Sequence, residues 1–165
     1  MTNLFDTLFI NNEQEQNHDI ALDIINEMHG HADFNCISEY HDIFSYNKLF
    51  SGNQNNLSII HMNARSLSKN YDRINAFLSS LTLSPDIIAI TETWLNDTNK
   101  YLYQFPGYHP YHITRTTRPH GGVSLYISND ICTEPIDVLT ITNDDIELLT
   151  VKVNVDSVSY FICAV

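Results

Sequence analysis

Apolar and polar positions change rhythm several times between residues 57 and 91. "LSIIHM" (Leu57–Met62) is a short, mostly apolar run and predicts a strand. In "SLSKNYDRINAFLSSL" the apolar positions Tyr71, Ile74, Phe77, Leu78 and Leu81 fall at helical spacing, with Ser68 or Asn70 available as N-cap. Pro85 closes the connection, and "SPDIIAIT" predicts a second strand. Its continuous apolar run, Ile87 to Ile90, marks it as covered on both faces. Strand, helix and strand of these lengths make a βαβ unit with parallel strands. In open α/β sheets, functional groups gather just beyond the carboxyl ends of such strands. Asn63 leaves the first strand there and Glu92 leaves the second, so the two side chains converge if the strands are neighbours.

The rest of the chain has a shorter period. "YHPYHI", "VSLYIS", "ICTEPIDVLTI", "IELLTVKVNV" and "VSYFICAV" are rich in β-branched and aromatic residues and are separated by "RPHGG", "SND", "TNDD" and "DS" turns, which predicts an antiparallel meander. Residues 1–50 read differently. Ile20, Ala21, Ile24, Ile25 and Met28 form a helical stripe between Asp19 and His29, and "CISEYHDIFSYNKLF" is a less regular helical stretch. "SGNQNN" (Ser51–Asn56) is the best boundary in the chain, so residues 1–50 are expected to be an acidic, helical extension or linker. The last apolar run is still in strand rhythm at Val165, and the chain is expected to be cut short there.

Composition adds bounds. At 165 residues with 43% hydrophobic content, the chain suits a single globular domain. No apolar run approaches bilayer length, and "MTNLFDTLFI" lacks a basic start, which makes it a poor signal peptide. Cys36, Cys132 and Cys163 form no CxxC pair, and an odd count suits a reduced, intracellular setting. The sequons at Asn56 and Asn96 carry little weight without a secretory route. A net charge of −12 argues against a polyanionic partner, yet the charge is graded along the chain. Residues 1–50 carry nine acids and one base, residues 51–120 four acids and six bases, and residues 121–165 seven acids and one base. The basic residues therefore gather around Asn63 and Glu92, a feeble footprint that permits nucleic-acid contact and no more.

Candidate chemistry is sparse. Two readings are open for Glu92: a surface carboxylate at a strand end, or a ligand for a hard cation such as Mg²⁺, which binds through one or two carboxylates and keeps several waters. Asn63 alone reads as a turn residue. His109, His112 and His120 lack the spacing of a zinc site and read as surface or loop histidines. Gly121-Gly122 suits a hairpin or bulge and belongs to no phosphate-cradling GxxxxGK[ST] motif. Arg115 and Arg118 lie just before it and suit a phosphate contact or a solvated loop equally. Trp94 reads as a packing residue and Cys163 as core.

Taken in order, "NARSL", "ITETWL", "PGY" and "R…GGVSLYI" resemble the start of an endonuclease/exonuclease/phosphatase domain, over roughly Leu57–Val165. The likeness is to the apurinic-type endonuclease domain of non-LTR retrotransposons of the jockey and CR-one type. The resemblance implies an α/β fold, part of a four-layer α/β sandwich, with Mg²⁺ (or Mn²⁺) dependence and nicking of target DNA. It assigns Glu92 as metal ligand and Asn63 as the amide that organises metal and phosphate. Arg65, Arg115 and Arg118 become candidate DNA contacts. The family's later motifs, a tyrosine opening "YRPP", a GD-x-N pair and a terminal S-D-H, do not occur within residues 1–165. Their Asp and His would activate water, worth about two to four powers of ten. This stretch alone is therefore expected to be inactive and to bind DNA weakly or not at all. The alternatives are a relative that hydrolyses a small phosphoester, or a decayed or domesticated non-enzymatic remnant.

Overall fold

Helix α1 (Ile43–Phe50), strand β1 (Ile59–Asn63), helix α2 (Leu67–Ser79) and strand β2 (Ile87–Thr91) open the computed structural model, which describes residues 42–50, 57–115, 120–143 and 146–165. β1 and β2 are parallel neighbours, paired from Ile59–Ile87 to Asn63–Thr91. Asp86 pins their amino ends together, its Oδ2 accepting bonds from the Ser58 backbone N–H (2.8 Å) and hydroxyl (2.7 Å). The start of α2 differs from expectation. Its N-cap is Ser66, at φ 87°, rather than Ser68 or Asn70, and no side chain caps it. Backbone pairing replaces the cap: Ser66 N–H donates to Glu92 O (2.9 Å) and Leu67 N–H to Thr93 O (2.8 Å), so the loop after β2 sets where the helix begins.

Strands β3 (Tyr108–Ile113) and β4 (Val123–Ser128) complete the first sheet in the order β1-β2-β4-β3. The predicted antiparallel strands are present, but they divide between two sheets rather than forming one meander. β4 inserts between β2 and β3, antiparallel to both, and its residues Val123–Ile127 are all buried. The second sheet holds β5 (Cys132–Pro135), β6 (Ile141–Thr142), β7 (Glu147–Val155) and β8 (Val158–Ala164). "ICTEPIDVLTI" is not one strand, since a 3₁₀ turn at Asp137–Leu139 breaks it into β5 and β6. Both pieces pair with β7, and β8 takes the opposite edge of β7 from β5.

Side chains alternate across β2, and the alternation separates two cores. Ile87 packs between the sheets with Leu125, Ile127, Leu149, Val151 and Val153. Ile88 and Ile90 face the other way, toward Leu67 and Ile74 of α2 and toward Tyr126. The layers are helix, sheet and sheet, three of the four in an α/β sandwich. Cys163 belongs to β8 as expected but is exposed rather than core, because it points opposite to its buried neighbour Ala164. The side chain of Asn47 in α1 bonds the loop after α2, accepting from Thr82 N–H (2.9 Å) and donating to Ser80 O (3.2 Å). The predicted helix at Asp19–His29, Cys36 and the Ser51–Asn56 break lie outside the described residues. Among the described residues no helix is long and apolar enough to cross a membrane.

His112 is neither a surface nor a loop residue. It sits on β3 with Nδ1 2.7 Å from the Ser124 hydroxyl, its Nε2 buried without a partner among the described residues, and its ring 5.6 Å from that of Tyr126. Burial, assisted by Lys100, pushes its pKa down from 6.5 to about 4. Between those values the unfolded chain takes up a proton that the folded chain refuses, so stability falls as the pH drops from 6.5 toward 4. The shift corresponds to about 3 kcal/mol. Urea midpoints measured across this range should fall more steeply for the native chain than for His112→Gln, whose side chain cannot titrate. Parallel curves would show that His112 does not govern the slope.

Candidate functional site

Asn63 and Thr91 form the last register pair of β1 and β2, and Glu92 is the next residue along β2. The strands stay joined one step further by Ala64 N–H to Thr91 O (2.8 Å). Asn63 and Glu92 therefore leave adjacent strands at the same end of the sheet. The backbone there is unusual. Arg65 (φ 43°), Ser66 (φ 87°), Glu92 (φ 54°) and Trp94 (φ 54°) are non-glycine residues in the left-handed region. Each such conformation costs about 1–3 kcal/mol and persists only where surrounding contacts impose it. Here the cross-bonds from Ser66 and Leu67 to the Glu92–Thr93 backbone do so. The Asn63 Oδ1 accepts a bond from Arg65 N–H (3.2 Å), which fixes the amide.

The Glu92 carboxylate is half-buried, and its Oε2 accepts a 2.7 Å bond from the Trp94 indole Nε1–H. Trp94 is thus a polar partner of Glu92 and not the plain packing residue expected. His120 meets the Trp94 ring edge-on at 4.3 Å, and the Lys69 ammonium lies 5.9 Å from the ring centroid. This aromatic surface with two basic neighbours forms beside Glu92 from three separate segments. Arg65 is exposed at the same end of the sheet.

Arg115 is tied within the protein. Its Nε–H donates to Glu147 Oε1 at 2.8 Å, and Glu147 is only 7% exposed. The second carboxylate oxygen of Glu147 accepts Gly122 N–H, also at 2.8 Å. Gly122 O and Gly121 O in turn accept the backbone N–H groups of Thr93 (3.1 Å) and Trp94 (2.8 Å). The Gly-Gly pair therefore docks the loop that carries Glu92 onto the first sheet. Arg118 lies outside the described residues. Sequence reasoning missed Glu147 and the polar role of Trp94. The available signals were a charge opening the apolar run "ELLTV" and an indole two residues beyond Glu92.

A profile of the group described as "Endonuclease/Exonuclease/phosphatase family" matches residues 50–164. The chain belongs to this family. Among solved structures, it is similar to an AP endonuclease from Leishmania major, with 22% identity and a TM-score of 0.50 over 64% of this chain and 38% of that one. An AP endonuclease from Archaeoglobus fulgidus matches at 17% identity and a TM-score of 0.39, covering 64% of this chain and 40% of that one. A 3′ phosphatase from Neisseria bound to a product DNA hairpin matches at 18% identity and 0.39, with the same coverage. The first likeness agrees with the α/β sandwich, and the chain spans about two fifths of the length of these structures. No curated protein matches the chain.

The endonuclease/exonuclease/phosphatase assignment implies a divalent cation, and the residues present suit one of a particular kind. Among the described residues there is no cluster of three His, Cys, Asp or Glu side chains. What the strand ends offer is one carboxylate and one amide, all-oxygen donors of the type Mg²⁺ takes while keeping most of its water. Trp94 occupies one oxygen of Glu92, and among the described residues nothing bonds the other.

Proposed function

We propose that this chain carries the cation-binding part of a Mg²⁺-dependent DNA endonuclease, of the kind that nicks target DNA for non-LTR retrotransposons. The observation that carries the proposal is the placement of Asn63 and Glu92 at the carboxyl ends of paired parallel strands, with Glu92 held in left-handed backbone beside the cross-bonds of the loop. In this reading Glu92 holds Mg²⁺ or Mn²⁺, and Asn63 orients the phosphate without adding charge. The bound cation supplies charge stabilisation to the phosphate and the leaving oxygen. Lys69, His120 and exposed Arg65 bring positive or protonatable groups to the DNA side of the site. Arg115, half of a partly buried ion pair, is assigned to holding the loop rather than to DNA.

The Asp and His that would activate water are not among residues 1–165, so this stretch by itself should not turn over. Incubated with supercoiled plasmid and Mg²⁺, it should leave the plasmid closed. Nicking that disappears in Glu92→Ala would overturn the inactivity. In a polypeptide that continues into GD-x-N and S-D-H motifs, Glu92→Ala should lower nicking at least about a hundredfold, the scale of losing several kcal/mol of transition-state charge stabilisation. Unchanged nicking there would remove Glu92 from the site. The net charge of −12 favours a second reading, a remnant that binds no DNA. Titration with duplex DNA at low salt separates the two, because a binder loses affinity linearly on a logarithmic salt scale.

A further inference from the structure

We infer that Glu147, a residue of the second sheet, is a positioning residue for the Glu92 site and acts through Arg115 and Gly122; the inference rests on the cation-site reading above. The path is continuous. The Glu147 carboxylate accepts Arg115 Nε–H with one oxygen and Gly122 N–H with the other, each at 2.8 Å. Gly122 O and Gly121 O accept the N–H groups of Thr93 and Trp94, and the Trp94 indole holds Glu92 Oε2 at 2.7 Å. Sterics lock the same joint. A Cβ on Gly121 would lie 2.8 Å from Glu147 Oε2 and 3.1 Å from Arg115 Cζ, so the fit of backbone against carboxylate admits no side chain.

A merely stabilising contact at this place would look different. Burying a carboxylate with a guanidinium costs desolvation that the pair's attraction often fails to repay, and an apolar pair of equal size commonly does as well. Glu147 opens β7, whose following Leu149, Val151 and Val153 are core. An apolar residue would continue that pattern. What the carboxylate supplies is two directional acceptors, one of them aimed at the glycine that docks the Glu92 loop. The second sheet thereby fixes a site displayed by the first, and Glu92 keeps a left-handed backbone that its own strand does not impose.

The test uses the chain's single tryptophan, Trp94, whose emission reports on Glu92 directly. Mn²⁺ titrated into the chain should quench Trp94 saturably, and Glu92→Gln should leave only linear, collisional quenching. Glu147→Gln should raise the Mn²⁺ half-saturation concentration at least fivefold, shift Trp94 emission to the red and leave the far-UV circular dichroism unchanged. If Glu147→Gln does not fold, the charge-free double variant Arg115→Met/Glu147→Gln takes its place, with the same expected shifts. A folded variant with native half-saturation and native Trp94 emission would overturn the positioning role while leaving the cation site standing. Absence of saturable quenching in the native chain, or its persistence in Glu92→Gln, would instead refute the cation site and the inference with it.

Discussion

Replacing Gly122 with alanine should lower the unfolding free energy by about 3–5 kcal/mol, among the largest losses a single methyl can cause in this chain. Two costs combine. Gly122 has φ +84°, a conformation that costs an L-residue about 1–2 kcal/mol. The new Cβ would also lie 2.5 Å from Thr93 Oγ1 and 3.3 Å from Ile113 O. Thr93 is fully buried and the Ile113 oxygen is backbone, so neither neighbour can swing into solvent. Gly107 provides the control, since its φ is +87° but a Cβ there meets nothing within 4 Å. Gly107→Ala should cost only the backbone part, about 1–2 kcal/mol. Urea unfolding of both variants separates conformation from overlap. Equal losses would mean that the contact between the Gly-Gly turn and Thr93 is not formed. Adding Thr93→Ala to Gly122→Ala should recover part of the difference, the coupling expected of touching residues.

The overlap with Thr93 also shows what kind of information the sequence carried. Periodicity is local, and the elements that depend on it could be read: the unbroken apolar run Ile87–Ile90, the helical spacing of Ile74 and Leu78, and the strand rhythm of Val123–Ser128 all lie within a few residues of the structure's limits. From those elements came the placement of Asn63 and Glu92 at one end of the sheet, because parallel neighbours must end on the same side. What stayed hidden depends on partners far along the chain. Glu147 bonds Arg115 and Gly122 across 32 and 25 residues. The start of α2 is set by the backbone of Glu92 and Thr93 and not by its own serines. β4 pairs with β2 on one edge and β3 on the other, a strand order that no turn signal encodes. His112 reads as a loop residue by composition, yet the fold buries it beside Ser124 and Tyr126. Tertiary placement, rather than local propensity, decided each of these.

Ile87→Ala and Ile88→Ala should each destabilise the chain by about 3–4 kcal/mol, although the two residues are adjacent and point in opposite directions. Both side chains are fully buried, Ile87 against Leu149, Val151 and Val153 of the second sheet and Ile88 against Leu67 and Ile74 of α2. Each truncation removes three carbons from a packed interior and leaves a space that the strand cannot collapse, being hydrogen-bonded on both edges by β1 and β4. Ile59 is the register partner of Ile87 on β1 but is 50% exposed, so Ile59→Ala should cost under about 1 kcal/mol. The pattern of two large losses at neighbouring positions discriminates between architectures. A sheet covered only by α2 would make Ile87→Ala cheap while Ile88→Ala stayed costly, and denaturant melts showing that split would remove the second sheet from the fold. The same double cover explains why this strand can end in a carboxylate. A strand clamped on both faces and both edges moves little, and the residue that follows it, Glu92, inherits that rigidity at the point where a cation would have to be held.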